Sequence, residues 1–176
     1  NATRFVLTNV DDMKVTLNKE ELDLTDKWLL TKYNNTIKEV TRNMEKYEFN
    51  NVGSSLYSFI WDDFCDNYIE FAKYKLDKPS TKYVLIHVLK GILQMLHPFM
   101  PFVTEELYGS LNFKNKESLM LESYPKYDKK LVFKKEEKEI EEDLEEQGTD
   151  LGITKTRGIK DKHFAERMPE MFENST

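Results

Sequence analysis

A chain of 176 residues is long enough to bury a sizeable core, and 12% aromatic content with only six glycines and five prolines disfavours both a turn-rich all-β fold and disorder over most of its length. A net charge of −6 is the reverse of the balance expected of a protein that holds nucleic acid chiefly through phosphates, and the single cysteine, Cys65, excludes an internal disulfide. No apolar run approaches the roughly 20 residues of a membrane span and no charged start leads into an apolar stretch, so a cytoplasmic protein that engages no membrane is expected.

Asn1 to Val10 reads as the last turns of a helix, and a start at Asn1 without methionine points to a fragment of something longer. The polar stretch Asp11 to Asp23 reads as a loop. A first complete helix is expected from Thr25 or Asp26, either of which is a capping residue type, because Leu30, Tyr33, Ile37, Val40, Met44 and Tyr47 alternate spacings of three and four. Asn50 and Asn51 are the expected cap of a second helix reaching about Leu76. Its apolar arc is wide (Val52, Leu56, Phe59, Ile60, Phe64, Tyr68, Phe71 and Ala72), which implies central burial. After a break at Pro79 and Ser80, Leu85, Val88, Leu89, Ile92, Leu93 and Leu96 mark a third helix, ended by His97, Pro98 and Pro101. A short helix over Val103 to Leu111 and an extended strap over Ser118 to Pro125 follow.

Residues 131–147 carry eight acidic and three basic side chains and read as an acidic helical extension without a continuous apolar stripe, a solvated face. Beyond it, Gly148, Gly152 and Gly158 leave 148–176 as a loose tail. The expected organisation is a mostly α-helical bundle over 1–130, the acidic extension, and the poorly ordered tail. Catalytic signatures are missing. His87, His97 and His163 have no partner at a metal-ligand spacing, no glycine-rich phosphate loop occurs, and Cys65 lies within an apolar helix face as a small buried hydrophobe. Glu105 and Glu106 are adjacent on a short helix, about 100° apart, and do not form an acid/base pair.

Four segments carry more information in combination. Residues 1–6 (NATRFV), 26–30 (DKWLL), 61–70 (WDDFCDNYIE) and 97–107 (HPFMPFVTEEL), followed by 118–125 (SLMLESYP), resemble in order and spacing the anticodon-binding domain of valyl-tRNA synthetases over residues 1 to about 125. The isoleucyl, leucyl and methionyl relatives share the bundle and the phrase around HPFMPF, and the isoleucyl and leucyl enzymes are the nearest alternatives. The DFCDxYIE phrase points to valine. Asn67 and Tyr108 stand where that family usually has tryptophan, and the tail from Gly148 departs from its pattern.

The resemblance implies a helical bundle that binds the anticodon stem-loop of a valine tRNA, with the central adenine and the third-position cytosine of the anticodon as targets. It implies a longer parent whose catalytic domain is the covalent partner of this one and joins valine to tRNA with ATP and magnesium. The HIGH and KMSKS sequences that hold ATP in that family are not in these 176 residues, so this chain is expected to be inactive alone and to hold no cofactor or metal. DNA is not an expected partner. From another class, a helical protein-interaction module without RNA binding fits the same composition.

The resemblance places Asn1, Arg4, Phe5, Thr8 and Asn9 toward the anticodon, where an amide and a guanidinium can hydrogen-bond splayed bases and Phe5 can stack. Against this stand a solvated Arg4 and a core Phe5, and the core role is preferred for Phe5. Asp62, Asp63, Asp66, Asn67 and Glu70 form the acceptor side, since carboxylates accept from adenine and cytosine amino groups. Their plain structural role is pairing with Arg4 or with lysines of neighbouring helices. Asp63 and Asp66, three apart, share a helix face and are the preferred base-reading pair. Trp28, Phe99 and Phe102 are expected in the core, with the proline corner setting an interhelical angle.

Overall fold

The computed structural model describes residues 1–10, 18–112 and 114–150, so most of the expected 148–176 tail and the 11–17 part of the first loop lie outside the described residues. Among those residues the secondary structure is entirely helical, with no strand. Helix α1 (Ala2–Asn9) turns Thr3 and Val6 inward. Helix α2 (Leu24–Glu45) is the long central element, and it starts one or two residues before the expected Thr25 or Asp26. Asp23 is the cap: its Oδ1 accepts from Asp26 N at 3.0 Å while Asp26 Oδ2 accepts from Asp23 N at 3.4 Å, a reciprocal capping box.

The predicted stripe is buried as far as Val40, but Tyr47 does not join it and is 79% exposed. It lies beyond the end of α2 with φ of 59°, where glycine is usual, and the chain turns there through two bonds, Tyr47 N to Met44 O and Glu48 N to Asn43 O. The next rod is continuous: α3 (Phe49–Ser58), a π-helical stretch (Phe59–Tyr68) and α4 (Ile69–Ala72). Its apolar arc is buried as the pattern requires. The expected asparagine cap is not used, since α3 begins after Glu48 and Asn51 instead donates to the Glu48 carboxylate at 3.0 Å.

Helix α5 (Pro79–Leu96) begins on the proline expected to break the chain, because a first-turn N–H has no helical partner to lose. It crosses α2 closely at Gly91, where a Cβ would stand 1.8 Å from the Tyr33 hydroxyl oxygen. Helix α6 (Pro101–Gly109) buries only Thr104 and Tyr108, one face one turn apart. Phe99 and Phe102, expected in the core, are instead 43% and 91% exposed: Phe99 precedes α6 in the proline corner, and Phe102 lies off the Thr104 and Tyr108 face that α6 buries. Trp28 is buried in the core and meets Phe71 edge-on.

The expected strap is extended only on either side of a 3-10 turn at Leu119–Leu121. It is pinned by polar contacts: Leu119 N donates to the Glu105 carboxylate, and Glu122 accepts from Tyr108 Oη at 2.5 Å and pairs with Lys90 at 2.6 Å. Burial works to raise the Glu122 pKa, but hydrogen bonds from Lys90 and Tyr108 hold it below the ordinary carboxylate value. Further on, Phe133 N donates to Thr31 Oγ1 at 2.8 Å and the chain enters α7 (Lys134–Asp150) alongside α2. The acidic extension is therefore packed, not merely solvated. Lys27 pairs with Glu136, Lys32 with Glu141, Asn35 donates to Glu137, and Ile140 is 1% exposed.

Candidate nucleic-acid interface

Helix α1 presents Asn1, Arg4 and Thr8 on one exposed face, the inevitable result of spacings of three and four with Thr3, Val6 and Val10 facing inward. Arg4 has no ion pair among the described residues, which leaves its five donors to solvent. Phe5 is half-buried against the core, in keeping with the packing role preferred for it. Asn9 also falls out of the polar face, because its amide donates to Phe5 O at 2.8 Å.

The acceptor side is divided by the π-helical stretch. Hydrogen bonds there close on the fifth residue rather than the fourth, as in Ile69 N to Phe64 O, so a turn takes more residues and positions three apart no longer share a face. Asp63 consequently faces α2 and α7. Burial raises its pKa from 3.8 to about 6 against the pull of Lys32, with Asp62, Glu141 and Glu137 adding to the rise. Burial works to lower the Lys32 pKa, but Asp63, Glu141 and Glu137 around it keep it above the ordinary lysine value.

Asp66 is not among the charges that act on Asp63 and acts instead on Cys65. Burial raises the Cys65 thiol pKa, and the Asp66 charge raises it further. Of the remaining candidates, Asp62 accepts from Ser58 Oγ at 2.9 Å, Glu70 holds Lys73 at 2.6 Å, and Asn67 is half-buried. Exposed aromatics add a stacked pair on the same rod, Tyr57 and Trp61, with ring planes 5° apart.

Sequence reasoning missed the group that holds the two helices together. Lys75, 2% exposed, sits just past α4 and donates to Asp23 Oδ1 and Oδ2 at 2.7 and 2.8 Å, to Thr25 Oγ1 at 2.6 Å and to Asp26 Oδ1 at 2.6 Å. Tyr68 Oη donates to the same Asp26 oxygen at 2.6 Å. Burial works to raise the Asp23 carboxyl pKa, but Lys75 outweighs it and holds the group below 3.8. Burial, and then Asp26, push the Tyr68 hydroxyl well above 10. The capping box thus doubles as the anion of a buried ion pair. No cluster of three or more His, Cys, Asp or Glu side chains suited to a metal occurs among the described residues.

A sequence profile described as the anticodon-binding domain of tRNA ligase matches residues 26–162, which carries the similarity past the strap and through α7. A valine-tRNA ligase of Bacillus cereus is 51% identical over 137 residues, covering 71% of this chain and 15% of that protein. One from Listeria monocytogenes is 46% identical over 144 residues (75% of this chain, 16% of that protein), and one from Thermotoga maritima is 44% identical over 143 (80% and 16%). The chain therefore spans about 15% of the length of the curated relatives it matches. Among solved structures, a LeuRS-tRNA-LeuAMS ternary complex from Agrobacterium radiobacter superposes with a TM-score of 0.54 at 20% identity, over 75% of this chain and 16% of that one, and shares the fold.

Proposed function

The chain belongs to the anticodon-binding domain family of tRNA ligases, and from that premise we propose that it recognises the anticodon stem-loop of a valine tRNA as the anticodon-binding part of a valine-tRNA ligase. The observation that carries the reading is the exposed Asn1, Arg4 and Thr8 face of α1, with Asp66 as the candidate acceptor, in a chain about half identical to named valine enzymes. A guanidinium and a side-chain amide there suit base edges, and a carboxylate suits an exocyclic amino group. The central adenine and third-position cytosine of the anticodon are the bases assigned to them.

In the parent enzyme, a catalytic domain of the same polypeptide joins valine to the tRNA using ATP with magnesium, in the cytoplasm. This chain contributes position and discrimination. No helix among the described residues is long and apolar enough to cross a membrane.

The test is a titration of the purified chain against valine tRNA and an isoleucine tRNA at low salt. Tighter binding of the valine tRNA is expected, and Arg4→Ala should weaken it by about 1–3 kcal/mol while leaving the isoleucine tRNA nearly unchanged. Equal binding of both tRNAs by the unaltered chain refutes the reading. Binding of neither leaves a protein-interaction module.

A further inference from the structure

We propose that segment 126–135, together with Lys38 of α2, forms a second RNA contact that holds the phosphate backbone of the tRNA without reading its sequence. The inference rests on the tRNA reading above and concerns a different surface. Overall charge is −6, yet this segment carries five lysines (Lys126, Lys129, Lys130, Lys134 and Lys135) against one acid, Asp128. All five are exposed, and none is in an ion pair among the described residues. The one opposing carboxylate is engaged, because Asp128 Oδ1 accepts from Lys130 N at 2.8 Å and caps the 3-10 turn Lys129–Leu131.

The strip is built on a fixed backbone. Asp128 N donates to Asn34 Oδ1 at 2.8 Å, Phe133 N to Thr31 Oγ1 at 2.8 Å, and Lys19 Nζ to Lys130 O at 3.0 Å, while Leu131 is buried beneath. Lysines on a held backbone keep their charges in place, so less ordering cost falls on binding. Three acids of α7 are engaged by α2, Glu136 with Lys27, Glu137 with Asn35 and Glu141 with Lys32, although Glu137 also feels the charge of Lys134. Glu20 and Glu21 beside Lys19, and Glu39 next to Lys38, are the acids nearest in sequence to the supporting residues, and Glu21 accepts from Asn18.

Two aromatics complete the surface. Tyr124 and Tyr127 are both partly exposed, and Lys38 Nζ lies 5.6 Å from the Tyr127 ring centre. Lysine is a hydrated point charge that suits phosphate rather than base edges, and aromatic rings between lysines suit unpaired nucleotides. A contact of this type positions the RNA and leaves discrimination to the α1 face.

The experiment compares the unaltered chain with a Lys126→Ala/Lys129→Ala/Lys130→Ala variant and a control of equal charge change at other exposed lysines, Lys46→Ala/Lys114→Ala/Lys116→Ala. Affinity for valine tRNA and isoleucine tRNA is followed by anisotropy from about 50 to about 200 mM salt, with helical circular dichroism confirming the fold. The strip variant should bind both tRNAs at least tenfold more weakly, with an unchanged ratio between them and a log–log salt slope shallower by about two, since each lost phosphate contact removes roughly 0.7–0.9. An unchanged affinity, or an equal loss in the control, overturns the proposal. A loss confined to the valine tRNA with the salt slope intact also overturns it, since the lysines would then read bases. Failure of the tRNA reading looks different: an unaltered chain that binds both tRNAs equally but still loses them in the strip variant keeps the strip and sinks anticodon discrimination. Binding of neither tRNA sinks both.

Discussion

Asp63 shows how a residue chosen for a function can be claimed by packing. Its carboxyl is pushed up to about 6 by burial between α2, α3 and α7. A raised folded-state value means that the folded chain binds more protons than the unfolded one between about pH 4 and 6, so stability falls as pH rises through that window. Above it the penalty is fully present. Asp63→Asn should therefore raise the melting temperature at pH 7 and do so less at pH 4.5, where the native aspartate is already protonated. Lys32 loses one partner in that variant but keeps Glu141 at 2.6 Å, so the gain survives. A variant that melts lower at pH 7 would show that the Lys32 attraction outweighs desolvation. Acid unfolding should come from other groups, since Asp23 and Glu122 are held low and lose their contribution only as pH falls below their ordinary values. Side-chain identity alone does not separate Asp63 from Asp66. Their separation comes from a π-helical stretch that the 59–68 sequence, regular at α spacing, does not announce.

At the scale of elements, the Lys75 cluster joins the start of α2 to the end of the α3–α4 rod through bonds between residues 49 to 52 positions apart. Removing one side of a buried ion pair strands the other, which typically costs 3–5 kcal/mol. Lys75→Met leaves Asp23 and Asp26 without their cation, so a loss of about 3–5 kcal/mol in urea unfolding is expected. Adding Asp23→Asn and Asp26→Asn should restore a large part of it, because neutral amides still cap the helix and no longer repel one another. A single-variant loss under about 1 kcal/mol would mean that water reaches the cluster. What the sequence makes legible at this scale follows from local periodicity: the inward faces of α2, α3 and α5 appear as stripes, and Asp23 to Asp26 carries capping residue types. Lys75 is not legible, since a lysine in a polar turn gives no sign of a partner some fifty residues earlier. Phe102 fails for the opposite reason. Its apolar character suggests core, but it lies off the Thr104 and Tyr108 face that α6 buries.

For the whole molecule, the question is what a domain covering about 15% of its relatives can do by itself. A tRNA ligase gains from anticodon binding by holding the distant acceptor end near the activated amino acid, which is positioning and not bond chemistry. The HIGH and KMSKS sequences that hold ATP in this family lie outside these residues, so the chain should give no valine-dependent exchange of pyrophosphate into ATP above a blank. Its effect should instead be competitive. Added in excess to a full-length valine-tRNA ligase from Bacillus cereus, it should slow transfer of valine to tRNA by sequestering the anticodon stem-loop, and extra valine tRNA should reverse the inhibition. Pyrophosphate exchange by the same enzyme needs no anticodon contact and should be untouched. Inhibition of both reactions, unrelieved by tRNA, would show that the chain docks on the ligase rather than on the RNA. Arg4→Ala makes the discrimination sharper, since a chain that acts by capturing valine tRNA must lose inhibitory strength in parallel with its affinity for that tRNA.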